Sequence, residues 1–384
     1  MDNPILYKLW LNLVCKGDVK LIDRLIWCFG SEEEIYKLSN ITDARIKEFG
    51  KTDIRKFNRS LDKAGRLQEA CRAKGITILT YGDELYPSQL RSIICPPRVL
   101  YARGNIRDYG NVLGITIVGT RKPTDYGLKM ARKIAFDLAK KGVIVTSGLA
   151  EGIDGAAHMG ALDAGAPTVA VLPNGVDNVF PKSHKNLCEH IIQDGMVISE
   201  LVPGSRGDRF TFKDRNRIMA GLSQGVLVIE AGKRTGTRMT ANHALANGRD
   251  VFALMGNVDS EMSEYPNALA VEGQRPIRNA EDILAKYEAE YAHVLVKRHA
   301  SEFKQNADAP KKTALEDTKL FPQLNNNERS IVKYLYDTGK AHIDQVAAGT
   351  GIAAEDLNEI IMILQMKDIV GQSAGNMYEL GEIE

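Results

Sequence analysis

At 384 residues the chain is too long for one small domain, and its 44% apolar and 26% charged residues are the proportions of a soluble globular protein. No apolar run approaches the roughly 18 residues that span a bilayer, and the start, MDNPILYKLWLNLVC, lacks a basic leader region and a small-residue cleavage site. The five cysteines are scattered with no C-x-x-C, which excludes a disulfide framework and a cysteine-held zinc site and fits a reducing cytoplasm.

Residues 1–100 read as short helices. VKLIDRLIWCFG stops on Gly30, and RSLDKAGRLQEACRAKG stops on Gly75, while SNITDARIKEFG between them opens on a good start signal. They predict a small helical domain or a helical cap on the main domain. From Gly114 the rhythm changes. GITIVGT, VIVTSG, TVAVLP, MVISEL, GVLVIEA and DVFALMG read as six apolar strands, separated by helices such as TDYGLKMARKIAFDLAKKG, GIDGAAHMGALDAG and RNRIMAGLS, the last beginning at Arg215. Continuously apolar strands are covered on both faces, so the prediction is an α/β domain over 101–290 with a doubly wound parallel sheet. Residues 291–324 lose the pattern, carry Pro310 and Pro322, and read as a linker. In 325–384, NNERSIVKYLYDTG, HIDQVAAGTG and AAEDLNEIIMILQMKD read as helices and IVGQSAGNMYEL as a hairpin, a winged-helix-like order.

The formal net charge of +1 hides an asymmetry. Residues 325–384 hold four Lys/Arg against ten Asp/Glu, a balance of −6, which leaves +7 on the rest. A polyanionic partner therefore belongs to the first 324 residues.

In a parallel sheet, ligands meet the carboxyl ends of strands. The loop VGTRKPTDYG offers Gly119 for close backbone approach, Thr120 and loop amides as donors, and Arg121 as a bidentate cation. It is not G-x-G-x-x-G, and taken alone it also reads as an ordinary strand-to-helix turn. SGLAEGIDGAAHMGAL carries Gly148, Gly152 and Gly155 for tight packing, Asp154 as a helix cap, and His158, which reads as a packing residue rather than a catalyst. PNGVDNVFPKSH brings Phe180, Lys182 and His184 to a strand end.

GDRFTFKDRNRIMAG is the densest stretch: Ser205–Arg217 holds five basic and two acidic residues beside Phe210 and Phe212. Cations meet phosphates and rings stack on bases, a pattern that suits a single strand better than a duplex. Core packing is the competing reading for one of the two phenylalanines. In VIEAGKRTGTRMTA, Glu230, Thr235, Gly236 and Thr237 outline an anion-binding helix start. No nucleophile elbow, H-E-x-x-H or metal-ligand cluster occurs, so no catalytic residue, metal or cofactor is predicted.

YPSQLRSIICPPRVLYARGN, VGTRKPTDYG, SGLAEGIDGAAHMGAL, SELVPG, FKDRNRIMAGLS and VIEAGKRTGTRMTANHALANGRDVFAL succeed one another in order from about residue 86 to 275. In these pieces the chain resembles the DNA-processing protein A (DprA/Smf) family. The resemblance implies an extended Rossmann-like domain that binds single-stranded DNA, forms a homodimer and loads the RecA recombinase in natural transformation. It implies a sterile-alpha-motif-like N-terminal domain, no catalytic turnover and no membrane. Carried over by motif, the DNA site uses Gly119, Thr120, Arg121, Arg209 and Phe212, with Arg215, Asn216 and Arg217 lining or bracing it and Lys182 nearby. The chain departs from the family pattern at Lys213, Thr235-Gly236-Thr237, Met255, Tyr265-Pro266 and Gly273-Gln274.

Two other functions compete. One is an enzyme similar to nucleotide phosphoribohydrolases, in which Glu230 with Gly236-Thr237 handles a nucleoside monophosphate. The other is a transcription regulator acting through the tail. Glu355, Asp356 and Glu359 on its third helix would face DNA phosphates and speak against that.

Overall fold

The computed structural model describes residues 3–38, 57–233, 235–295, 324–338, 341–367, 369–373 and 377–380. The chain forms two compact units, Met1–Glu302 and Phe303–Glu384.

The first unit is built on a nine-stranded sheet. Strands β1 (Thr77–Thr80) and β2 (Val99–Gly104) precede the six strands expected from the sequence, β3 (Gly114–Val118), β4 (Ile144–Ser147), β5 (Thr168–Val171), β6 (Met196–Ser199), β7 (Gly225–Val228) and β8 (Asp250–Leu254). A short β9 (Arg275–Ile277) closes the far edge, and the order is β1-β2-β6-β5-β4-β3-β7-β8-β9. From β6 to β9 all neighbours are parallel. The expectation of a wholly parallel sheet needs correction at one edge, where β2 runs antiparallel to both β6 and β1.

Every residue of β3–β7 is buried, which explains why these strands read as unbroken apolar runs. Along β3, Ile115 and Ile117 face helices α5 (Asp125–Lys140) and α6 (Ile153–Asp163). Val118 faces the opposite layer, with α8 (Arg209–Gly221) and α9 (Thr237–Ala246). Thr116 points the same way and donates to the carbonyl of Met219 at 2.7 Å, tying β3 to α8. The chain steps from β3 outward to β6 and then returns to the other side of β3 as β7. The strand order reverses between β3 and β7, and that is where such a sheet opens a crevice.

The N-terminal helices α1 (Pro4–Val14), α2 (Val19–Phe29), α3 (Glu32–Lys37) and α4 (Asp62–Ala73) share one apolar cluster with the sheet. Leu9, Trp10, Leu25 and Ile35 pack there with Val99 and Tyr101 of β2. The boundary expected at residues 100/101 thus falls inside β2. The expected helix SNITDARIKEFG lies outside the described residues. Beyond β8, α10 (Glu264–Val271) and α11 (Ala280–Leu295) were not foreseen, and α11 takes up the first residues assigned to the linker. The rest of that linker, up to residue 323, lies outside the described residues.

The second unit holds α12 (Asn326–Thr338), β10 (Ala341–His342), α13 (Ile343–Thr350), α14 (Ala354–Met366), β11 (Val370–Ser373) and β12 (Met377–Leu380). Its helices enclose Ile331, Leu335, Val346, Leu357, Ile361 and Leu364. The expected hairpin is present as β11 and β12, and β10 adds a third strand in the order β10-β12-β11. Among the described residues no helix is long and apolar enough to cross a membrane.

Small residues let α5 and α6 approach closely. A Cβ on Gly160 would stand 2.2 Å from the carbonyl oxygen of Arg132, which is backbone and cannot turn aside. Gly160→Val should therefore destabilise the protein by about 1–3 kcal/mol, the usual cost of overpacking. Urea unfolding checks this, and an unchanged midpoint would contradict the close contact.

Candidate nucleic-acid interface

A cleft of about 850 Å3 opens beside the reversal between β3 and β7. Three segments line it: Val118–Lys122 after β3, the early turns of α8, and Thr235–Thr240 at the start of α9. Ala150 before α6, Asp154 in its first turn and Met262 complete the lining.

The α8 wall is set by its first residue. Asp208 is the N-cap and accepts from the amides of Phe210 (2.8 Å) and Thr211 (2.9 Å), while Thr211 Oγ1 accepts from the Asp208 amide at 2.8 Å. This capping box opens the helix six residues before the Arg215 start that the sequence pattern indicated. Those same amides hold the Asp208 carboxyl below its ordinary range. With the helix running from Arg209, residues Arg209, Phe212, Lys213 and Asn216 fall on one face and all line the cleft. Arg209 and Lys213 are exposed. Phe210 sits outside the lining, 57% exposed, with the Arg209 guanidinium 4.8 Å from its ring centre.

Phe212 is half-buried and belongs to none of the apolar clusters of the described residues. The Arg121 guanidinium stands 5.0 Å from its ring centre and that of Arg215 5.9 Å. Arg121 and Lys122 are exposed at the mouth.

Arg215 is a different kind of residue. It is buried, and its Nη1 donates to the carbonyls of Gly148 and Val171, both at 2.7 Å. Burial pulls its pKa down to about 10 even though Asp154 beside it favours the charge. The Asp154 carboxyl is raised by its own burial, which outweighs the attraction of Arg215. A Cβ on Gly148 would sit 2.0 Å from Arg215 Nη1, so the glycine is the condition for the bond. Arg215 lines the cleft but serves as a brace, and its Nε donates to Asn216 Oδ1 at 3.2 Å.

Other candidates are placed differently from expectation. Arg217 is outside the lining: its Nη2 is paired with Glu200 (2.6 Å to Oε1) and its Nη1 donates to the Cys95 carbonyl at 2.6 Å. Lys182 is exposed on the loop after β5 and is not part of the cleft wall. Gly119 lines the cleft, yet a Cβ there would meet Ile153 Cγ1 at 2.5 Å and the Glu230 carbonyl at 2.8 Å. Packing, rather than approach to a ligand, requires the glycine. The amide of Thr120 donates to the Glu230 carbonyl at 2.7 Å and that of Lys122 to Thr120 Oγ1 at 3.2 Å, so neither is open to a phosphate. Glu230 is buried, and its Oε1 and Oε2 accept from the hydroxyl (2.6 Å) and amide (2.9 Å) of Thr124 at the head of α5. Lys122 and Lys213 were not singled out for the site. A helical wheel begun at Asp208 would have found Lys213; Lys122 had only its place beside Arg121 as a signal.

The family model described as DNA recombination-mediator protein A matches residues 77–288, more than half of the chain. The chain belongs to the DNA recombination-mediator protein A family. Protein Smf of Synechocystis is 32% identical over 96% of this chain and 97% of its own. The DNA processing protein DprA of Bacillus subtilis is 34% identical over 64% of this chain and 82% of its own. Among solved structures, DNA processing protein A of Streptococcus pneumoniae superposes with a TM-score of 0.60 at 31% identity, covering 74% of this chain and 98% of its own. The Helicobacter pylori protein, whose structure is described as revealing a single-stranded DNA binding mode, gives 0.51 at 26% identity over 56% of this chain and 97% of its own.

His158, one turn after Asp154 on α6, is fully buried. Thr168 Oγ1 donates to the Val145 carbonyl at 2.6 Å, so it accepts the Nδ1–H of His158 at 2.8 Å. Among the described residues the Nε2 has no hydrogen-bond partner. Burial first, then the charges of His184 and Arg215, push the imidazole down to about 3 from 6.5. Below that ordinary value the unfolded chain takes up a proton that the folded one refuses. The associated stability is complete above pH ~6.5 and falls as the pH drops toward ~3, by about 1.4 kcal/mol per pH unit. His158→Gln should remove one proton's worth of slope from the stability profile between about pH 6 and about pH 4. Urea midpoints across that range measure it, and an unaltered slope would mean the ring is protonated in the fold.

Proposed function

We propose that the chain holds single-stranded DNA in this cleft and acts as a recombination mediator without catalytic turnover. The observation that carries the reading is one helix face bearing Arg209, Phe212, Lys213 and Asn216 opposite Arg121 and Lys122. Exposed cations take phosphates, and Phe212, outside every apolar cluster of the described residues, takes a base. Lys182, on the neighbouring loop, meets the strand as it leaves. Membership of the recombination-mediator family and the single-stranded DNA binding described for the Helicobacter pylori relative point the same way. The finer family attributes are part of the proposal. The protein works as a homodimer in the cytoplasm, protects incoming DNA and loads RecA onto it in natural transformation. The N-terminal helices form a sterile-alpha-motif-like domain on a Rossmann-like body, and the C-terminal unit is winged-helix-like.

The nucleotide-hydrolase reading relied on Glu230. Both of its carboxylate oxygens are committed to Thr124. Asp208 caps α8 and Asp154 is buried beside Arg215.

Arg121→Glu with Lys213→Glu should lower affinity for a single-stranded oligonucleotide at least about tenfold and flatten the log–log salt slope by about 0.7 per lost phosphate contact. Arg217→Met should lower thermal stability and leave that slope alone, because its partner is Glu200. Gel shifts over a salt series, with single- and double-stranded probes, check both. A normal slope in the first variant would remove the phosphates from this cleft.

The tail predicts a second outcome. With −6 on residues 325–384, it should repel rather than hold DNA. A chain ending at Glu302 should bind the same oligonucleotide within a few-fold of the full chain at matched salt. A loss beyond about tenfold, ~1.4 kcal/mol, would assign DNA contacts to the C-terminal unit.

A further inference from the structure

We infer that Phe180 is a second base-stacking ring, set so that only a strand that unstacks and turns between two nucleotides can use both it and Phe212. The inference rests on the single-stranded DNA reading above. Phe180 lies on the loop between β5 and α7 (Lys185–Asp194) and is 52% exposed. Its neighbour Val179 packs into an apolar cluster, as does Leu187, but Phe180 joins none among the described residues. A phenylalanine left out of a core that its own loop helps to build forgoes a large share of its burial energy. Its aromatic contact is with Phe212, at 6.2 Å between ring centres and 79° between planes. Arg121 and Arg215 both stand close to the Phe212 ring, whereas among the described residues no cation stands over Phe180. Its exposed surface is open to a planar apolar group.

The loop is held in place. His184 Nδ1 donates to the Leu149 carbonyl at 3.0 Å, Ser183 Oγ donates to the Glu151 carboxylate at 3.0 Å, and the Asn178 amide donates to the Gly175 carbonyl at 2.9 Å. A fixed ring loses little entropy on binding. Bases that remain stacked stay parallel, about 3.4 Å apart along each strand. Rings 6.2 Å apart and nearly perpendicular cannot serve two such bases. A flexible single strand meets the geometry by turning its backbone sharply between adjacent nucleotides, and Lys182, exposed two residues on, can meet a phosphate there. Phe180 therefore contributes affinity for single strands and selects against duplex.

The test uses the full chain with three probes of equal length: an oligothymidine, an abasic strand and a blunt duplex. Phe180→Ala and Phe180→Leu should each lose about tenfold or more on oligothymidine, the scale of one stacked base. Phe180→Tyr should stay within about threefold of wild type, since it keeps the ring. On the abasic strand all three should match wild type, and melting temperatures should hold because the ring is in no core cluster. Wild-type affinity in Phe180→Leu would mean that bulk against Phe212 is what matters, and would overturn the inference. So would an equal loss on the abasic strand. If the wild-type chain fails to bind oligothymidine, the functional reading falls and this falls with it. If wild type binds and Phe180→Ala binds equally well, only this inference is overturned.

Discussion

The guanidinium of Arg215 enters the protein interior from α8 and donates through one nitrogen to two backbone carbonyls, those of Gly148 and Val171. Both lie where strands end, Val171 as the last residue of β5 and Gly148 one residue beyond β4. Carbonyls at such ends have left the ladder and are costly to bury unpaired. One cation satisfies two of them and fixes α8 to the carboxyl edge of the sheet. The bond exists only because residue 148 has no side chain. Removing the cation would take this donor from both carbonyls and leave Asp154 with its hydrogen bonds but without the neighbouring positive charge, the kind of loss that outweighs the net value of a buried pair. With Arg215 anchored, Phe212 one turn earlier and Arg209, Lys213 and Asn216 on the flanking face have little choice but to front the cleft.

That anchoring has an electrostatic cost which bears on binding. Arg121, Lys122, Arg209, Lys213 and Arg215 all line one opening, against Asp154 and Asp208. Arg121 is close enough to lower the pKa of Arg215. Like charges held together by a rigid frame repel, and solvent and salt screen the exposed ones more than the buried one. A bound polyanion would relieve that repulsion, so part of its affinity would be stored in the unliganded fold. The same field would raise the rate at which any polyanion meets the cleft.

Each segment was legible in the sequence to the extent that its packing left a pattern there. β3 to β8 are sealed between helices and so appear as apolar runs. β1 and β2 were missed because the helices that cover one side of them precede them, and their pattern merged with the helical stretch. The start of α8 was missed because Arg209–Lys213 carries no apolar period, although Asp208-x-x-Thr211 was a start signal in plain view. Starting the helix late kept Arg217 grouped with Arg215. On the real helix two residues is more than half a turn, and Arg217 swings away to Glu200. Gly119 reads from the sequence as a point of close approach to a ligand, but the neighbours that exclude a side chain there are Ile153 and the Glu230 carbonyl. Motif resemblance brought Arg209, Phe212, Arg215 and Asn216 together where pattern alone could not rank them.

Glu230 and Arg215 solve one problem with opposite charges. At the end of β7, the buried Glu230 carboxylate receives the amide and hydroxyl of Thr124, at the head of α5, where a helix presents unpaired donors. At the ends of β4 and β5, the buried Arg215 guanidinium supplies donors to unpaired acceptors. Each consumes its charged group in holding the crevice open at the strand reversal. A catalytic site needs at least one such group left free with a shifted proton affinity and a path to substrate. Here these two buried charges are spent on the frame, and the cleft mouth carries the exposed Arg121, Lys122, Arg209 and Lys213 beside Phe212 and the capping Asp208. Exposed cations and aromatic rings are the groups that phosphates and bases recognise.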